Sequence, residues 1–152
     1  MGEGLAAGNQ APHKGHLHPG FAAMEYYGLI LNRSFLIFVR PEGLYGWKFF
    51  DLVSSATPQY FQGIEEYLDK PELTPGSPEF DQLMRKSGSF FIPKADIESV
   101  QFVNKRKGGM GPVPHSGRLY ICFRSNKRRE FVLLGRVDGD GIRNQMRIAL
   151  GL

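Results

Sequence analysis

Two short runs of consecutive basic residues are the strongest candidates for chemistry in this sequence. They are Lys105, Arg106 and Lys107, and Lys127, Arg128 and Arg129. Both runs coincide with predicted turns of a small β structure, which can bring them together, close to Arg118 or Arg143. Clustered ammonium and guanidinium groups attract phosphates and carboxylates on lipid headgroups, nucleic acids or acidic peptides. The alternative is that basic turn residues only keep a β protein soluble.

Positive charge is concentrated in the C-terminal half of the chain. The whole sequence has a formal net charge of +4. Residues 87–152 have twelve basic and five acidic residues, a net charge of +7, whereas residues 52–86 have three and six, a net charge of −3. Such an asymmetry favours an anionic partner and carries no information about the fold.

Candidate catalytic and metal-binding residues lack the patterns that these chemistries need. His13, His16 and His18 lie in a segment rich in glycine and proline, and a solvated tail is favoured there over a metal site. Cys122 lies within a predicted strand, away from a helix N-terminus that would activate it. Lys107–Gly111 has the glycines of a phosphate loop without its terminal Lys-Ser/Thr. We expect no metal, no cofactor and no enzymatic activity; a small hydrolytic or other enzyme is the lowest-ranked alternative.

Length and composition fit one soluble domain. The chain has 152 residues, of which 41% are hydrophobic and 22% charged. Its apolar runs are of strand length, far below the ~20 residues of a membrane-spanning helix, and Met1–Gly20 has no secretory pattern. The single cysteine agrees with a reducing compartment. We expect a cytoplasmic protein, with peripheral membrane attachment as the alternative.

Composition divides the chain into a leader and a domain with an insertion. Residues 1–24 are predicted to be a flexible leader, and residues 25–152 a single domain. Within it, residues 54–87 break the strand pattern and are acidic and rich in proline. Two short helices are predicted there, beginning at Thr57-Pro58 and at Ser77-Pro78, with Phe80 on the buried stripe of the second.

Alternating apolar residues before the insertion predict three strands. Tyr26–Leu31 and Phe35–Val39 form a predicted hairpin around a turn at Asn32–Ser34. Leu44–Leu52 follows as the third strand. One face of this strand is predicted to carry Tyr45, Trp47 and Phe49.

Four strands and a helix are predicted after the insertion. The strands lie at Ser89–Ile92, Ile97–Val103, Arg118–Arg124 and Arg129–Leu134. Alternation in the second of them places Ile97 and Ser99 on one face, opposite Val100 and Phe102. The helix begins at Asp138 as its N-cap. Its apolar stripe consists of Ile142, Met146, Ala149 and Leu150.

This order of elements resembles the pleckstrin homology superfold, including its GRAM-type and bacterial branches. The resemblance covers Glu25–Leu150 and is carried by the segments Gly28–Val39, Ile92–Val100 and Gly117–Phe123. It implies a mainly β fold, α+β by content: a seven-stranded antiparallel barrel or sandwich, capped by the C-terminal helix and carrying the helical insertion after strand 3. The tryptophan that many such domains bury in their final helix is absent, because the only tryptophan is Trp47.

The resemblance also implies a binding function. Phosphoinositide-binding members hold phosphates with basic residues in and beside the first hairpin, where this chain has Arg33, Arg40 and Lys48. The predicted function is a non-enzymatic binding or adaptor module that receives a protein or peptide at a sheet edge, at the basic turns or at the insertion. Peripheral binding to anionic phospholipid headgroups is the alternative. Nucleic acid ranks lower, because the aromatic residues alternate toward the core rather than lying exposed between basic ones.

Overall fold

The computed structural model describes residues 20–26, 32–50, 76–110 and 113–152. The predicted leader up to residue 19, with its three histidines, and the first predicted insertion helix lie outside these residues. The strands are β1 (Gly20–Tyr26), β2 (Asn32–Arg40), β3 (Gly43–Phe50), β4 (Phe90–Pro93), β5 (Ile97–Val103), β6 (His115–Phe123) and β7 (Arg128–Leu134). The helices are α1 (Pro78–Met84) and α2 (Gly139–Leu150), with a short 3-10 turn at Lys94–Asp96.

The seven strands form one antiparallel sheet in the order β4-β3-β2-β1-β7-β6-β5. Its two edge strands, β4 and β5, are separated in the chain only by the Lys94–Asp96 turn. The sheet therefore curls until its edges approach each other, giving a half-barrel. The predicted mainly β fold, with seven antiparallel strands and a C-terminal helix, is confirmed.

The concave face of the sheet and α2 enclose the inner core. Apolar side chains from β1, β2, β6 and β7 meet there, and α2 packs against β5, β2 and β6. The predicted stripe of α2 is confirmed, since Met146 and Leu150 are buried and Ile142 and Ala149 pack beside them. Asp138 Oδ1 caps the helix by accepting a hydrogen bond from the Gly141 N–H at 3.0 Å.

A second apolar cluster lies on the convex face of the sheet. Helix α1 covers part of it: Ser77 Oγ accepts a hydrogen bond from the Phe80 N–H at 3.1 Å, and the Phe80 ring contacts the rings of Phe38 and Tyr45 edge-on. The loop between β5 and β6 contributes Met110. The second predicted insertion helix is thus confirmed. The two apolar clusters together give β1 and β2 apolar neighbours on both faces.

The first strand lies earlier in the chain than predicted. β1 is Gly20–Tyr26, and its ladder pairs Tyr26 with Asn32, so Asn32–Ser34 belongs to β2 and is not a turn. The predicted turn at Asn32–Ser34 is therefore wrong, whereas the predicted strand at Tyr26–Leu31 lies, apart from Tyr26, outside the described residues. Small residues such as Ala22 and Ala23 occupy β1, which is buried on both faces and lacks alternation, so the sequence pattern did not reveal it.

The predicted faces of β5 are also wrong at one end. Ile97 is fully buried in the same inner cluster as Val100, although the two residues are an odd number of positions apart. The ladder between β5 and β6 shifts register between Ile97 and Ser99, as at a β-bulge. One extra residue there rotates Ile97 back toward the core, and Glu98 and Gln101 stay exposed.

Candidate functional site

A pocket of about 280 Å³ opens on the convex face of the sheet. The ladder between β1 and β7 ends at the pairs Ala23–Leu133 and Met24–Val132, and the pocket lies beyond it. Its lining residues are Tyr26, Lys107, Tyr120, Arg128, Arg129 and Glu130. Strands β1, β6 and β7 and the β5–β6 loop therefore all contribute to one site.

The described residues of the β5–β6 loop, 104–110 and 113–114, include a part that reaches the pocket by lying over the sheet. His115 Nε2 accepts a hydrogen bond from the Lys107 backbone N–H at 2.9 Å, and His115 Nδ1 lies 2.9 Å from the Val113 carbonyl oxygen. These partners assign the ring proton to Nδ1. Tyr26 donates its hydroxyl to the Gly109 carbonyl at 2.7 Å, and Met110 is buried. Lys107 is thereby brought over β7.

Glu130 is the centre of the polar contacts in the pocket. Its carboxylate accepts hydrogen bonds from Lys107 Nζ and, at 2.7 Å, from the Tyr120 hydroxyl, and an Arg118 nitrogen lies 3.7 Å away. Burial favours the protonated acid, but these hydrogen bonds and the two cations outweigh it and lower the pKa of Glu130. The hydrogen bond to Glu130, followed by burial, raises the pKa of Tyr120. At neutral pH the site holds a carboxylate and a protonated phenol.

Arg128 and Arg129 have different environments despite being adjacent. The Arg129 guanidinium forms an ion pair with Glu25, whose side chain is only 3% exposed, and lies 4.0 Å from the centre of the Phe90 ring. Its charge is neutralised within the fold. Arg128 is exposed, and its guanidinium lies over the Tyr120 ring at 4.6 Å. No carboxylate partner of Arg128 is found in the described part of the chain.

The structure brings together three of the six residues of the two basic runs: Lys107, Arg128 and Arg129 line the same pocket. The other three are exposed and do not line it; they are Lys105, Arg106 and Lys127. Arg118 joins the site through Glu130. Arg143 does not, because it pairs with Asp140 on α2 at 3.4 Å.

The basic residues of the first hairpin are dispersed rather than clustered. Arg33 and Arg40 lie near opposite ends of β2. Burial lowers the pKa of Arg40, partly offset by the charge of Glu42, and its guanidinium donates to the Val39 carbonyl at 3.3 Å. Lys48 lies in β3, where its backbone N–H donates to Ser89 Oγ at 3.2 Å. These three residues do not converge on one anion site.

Sequence reasoning missed the aromatic and acidic members of the pocket. Tyr120 lies on the face of β6 opposite to Leu119 and Ile121, so alternation could have identified it. Glu130 directly follows the run Lys127–Arg129, and a single acid next to consecutive cations was a usable sign of an ion pair. Tyr26 was predicted to lie in a strand, but its contact with Gly109, 83 residues away in the chain, has no local signal in the sequence.

Other chemical groups in the described residues are few. No three His, Cys, Asp or Glu side chains of this part of the chain are grouped so as to hold a metal ion. Neither of its helices has the length and apolar character needed to cross a bilayer. Comparisons with protein-family models, with curated proteins and with solved structures found no match to this chain.

Proposed function

We propose that this chain is a non-enzymatic, pleckstrin homology-like module that binds an anionic segment of a protein partner in the convex-face pocket. The curled seven-stranded sheet with its C-terminal helix is compatible with that superfold. The observation that carries the proposal is the meeting of Lys107 and Arg128, which are 21 residues apart in the chain, in one pocket with tyrosine walls. A cationic recess of this kind favours a ligand with carboxylates or phosphates.

The hydrogen bonds inside the pocket favour binding over catalysis. A general base works best with a pKa near the operating pH, but the pKa of Glu130 is lowered from its ordinary value by Lys107, Tyr120 and Arg118. The Tyr120 hydroxyl donates to that carboxylate, and its raised pKa keeps it protonated. Arg128 is a cation that orients and neutralises an anion without exchanging a proton with it.

A second candidate is attachment to an anionic membrane surface. It is favoured by the exposure of the three remaining basic residues, Lys105, Arg106 and Lys127. Basic residues near a membrane contribute about 1 kcal/mol each to the attraction of anionic lipid. The protein partner is preferred because the two cations of the pocket lie beside Tyr26 and Tyr120 in a recess, which a flat membrane surface would not fill.

The proposal is tested with the full chain, a degenerate peptide library rich in Asp and Glu, and phosphatidylcholine–phosphatidylserine vesicles. We expect the acidic library to bind and the Lys107→Gln/Arg128→Gln double variant to weaken this binding by about tenfold or more. The matched control is Lys86→Gln/Arg136→Gln, which removes one lysine and one arginine that are exposed outside the pocket. This control should bind as the unmodified chain does.

Two outcomes would contradict the proposal. Equal weakening in both double variants would show that only overall charge matters. Binding to the vesicles alone, with the library unbound, would transfer the function to the membrane candidate. Circular dichroism of each variant checks that the sheet is retained, so a loss of binding cannot be attributed to unfolding.

A further inference from the structure

The charges around the pocket do not balance. Lys107, Arg118 and Arg128 supply three positive charges, and Glu130 supplies one negative charge. Arg129 adds nothing to this difference, because its charge is cancelled by the buried Glu25. The described residues therefore leave the pocket with an excess of two positive charges.

Hydrogen-bond donors are in excess as well. Glu130 accepts a hydrogen bond from one N–H of the Lys107 ammonium group, so two N–H donors remain for a ligand. The Arg128 guanidinium stacks on Tyr120 and has no acceptor among the described residues, so its planar fork is available. The Nε atom of Arg118 is buried and also has no acceptor in the described part of the chain.

Two unmatched charges and several unused donors fit a phosphate monoester better than a carboxylate. A carboxylate supplies one negative charge and two oxygens. A phosphorylated side chain has a charge of about −1.5 to −2 at neutral pH and three strong acceptor oxygens. Such a group can accept two parallel hydrogen bonds from Arg128 and a further one from Lys107.

We propose that the pocket selects a phosphorylated side chain of the protein partner; this rests on the proposed function and specifies the group that is bound. Lys107 and Arg128 set the selectivity, because the attraction of these cations for an anion grows with its negative charge, and a dianion gains more from the excess of positive charge than a carboxylate does. Glu130 repels any incoming anion but holds Lys107 over the pocket through their ion pair. It is a positioning residue and need not touch the ligand.

The experiment compares three peptide libraries that differ only at a fixed central residue: phosphoserine, glutamate or serine. Binding to the full chain is measured by fluorescence anisotropy. We expect phosphoserine to bind about tenfold more tightly than glutamate, and serine to bind weakest. Arg128→Gln should remove the preference for phosphoserine, and Arg136→Gln should keep it. Glu130→Gln keeps an acceptor for Lys107 and removes a charge that repels a dianion more than a monoanion. It should therefore strengthen phosphoserine binding more than glutamate binding, which a purely structural role of Glu130 would not produce.

The outcomes separate this inference from the proposed function. If glutamate and phosphoserine bind equally, with equal dependence on Arg128, the phosphate selectivity is wrong and the proposed function stands. If neither library binds, both are wrong. Vesicles of phosphatidylcholine with phosphatidic acid present the same monoester on a lipid. Binding to these vesicles that depends on Arg128, with no binding of the phosphoserine library, would overturn the peptide partner in favour of a lipid.

Discussion

At the scale of single residues, the pocket depends on side chains that hold one another in place. Glu130 lies directly across the β6–β7 ladder from Tyr120, so the hydroxyl and the carboxylate meet on the same face of the sheet. Lys107 reaches the same carboxylate from a loop. Its position depends on His115, whose two ring nitrogens both bond to the loop backbone.

The ionisation of Glu130 gives a pH-dependent prediction about stability. Its pKa is lowered from the ordinary value of 4.5, so the folded state favours the charged carboxylate. The stabilisation is therefore complete above the pKa of the unfolded chain and is lost as the pH falls through the lower pKa of the folded state. We expect Glu130→Gln to reduce the free energy of unfolding by about 1 kcal/mol at pH 7, with the difference disappearing in acid.

Urea unfolding at a series of pH values measures this effect. The control is Glu98→Gln, at an exposed position of β5. It should change stability by less than about 0.5 kcal/mol at every pH. Below the pKa of the folded-state carboxyl, the Glu130→Gln variant and the unmodified chain should have the same free energy of unfolding. An unchanged difference there would contradict the role assigned to the charge of Glu130.

The same residues show what the sequence could predict of the site. The sequence reveals both basic runs directly, because they consist of consecutive charged residues. It does not reveal which of these residues meet in the pocket, because that depends on the course of the β5–β6 loop. Arg128 and Arg129 alternate across β7, so one faces Tyr120 on the convex side and the other faces the buried Glu25. Adjacent and chemically identical residues thus acquire different roles.

At the scale of elements, the sequence predicted strands best where polar or charged residues interrupt the apolar ones. The positions of β6, β7 and α2 agree with prediction to within a few residues. Charged residues mark the start of β7, and apolar residues recur at every second position through Leu119, Ile121 and Phe123 of β6. β1 is buried on both faces, so its sequence does not alternate and the strand was missed. The β5 bulge was also missed, because one additional residue changes the face without changing the residue types.

The packing of α2 against the sheet depends on two glycines that contact one ring. Phe102 of β5 lies between Gly117 of β6 and Gly139 at the start of α2. A Cβ atom at Gly139 would lie 2.2 Å from carbons of this ring, and one at Gly117 would lie 2.9 Å from them. The ring therefore has little room to move away from an added methyl group.

We expect Gly139→Ala to displace the first turn of α2 and to cost about 1–3 kcal/mol of stability, as overpacking does. Thermal unfolding followed by circular dichroism measures the change. Gly108→Ala is the control, because a Cβ at Gly108 has no neighbour within 4 Å among the described residues. A Gly139→Ala variant as stable as this control would show that the Phe102 ring is not confined.

At the scale of the whole molecule, the sheet has two parts that meet at one junction. Strands β4-β3-β2-β1 form one part and β7-β6-β5 the other, and among the described residues only the β1–β7 ladder joins them within the sheet. This ladder has two residue pairs, fewer than any other in the sheet. The Glu25–Arg129 ion pair lies just beyond it, against the Phe90 ring of the opposite edge strand. The pocket lies at the same junction.

We therefore predict that the Glu25–Arg129 pair stabilises the joining of the two parts. Removing one partner leaves the other charge largely buried, so Glu25→Gln and Arg129→Gln should each cost about 2 kcal/mol or more. The double variant removes both charges and should be more stable than additivity implies, by about 1–2 kcal/mol. The free energies of unfolding of the unmodified chain and the three variants, measured in urea, complete a double-mutant cycle and give the coupling energy of the pair.

The exposed Asp140–Arg143 pair on α2 is the matched control, with an expected coupling below about 0.5 kcal/mol. Equal couplings for the two pairs would mean that the junction is maintained by apolar packing alone.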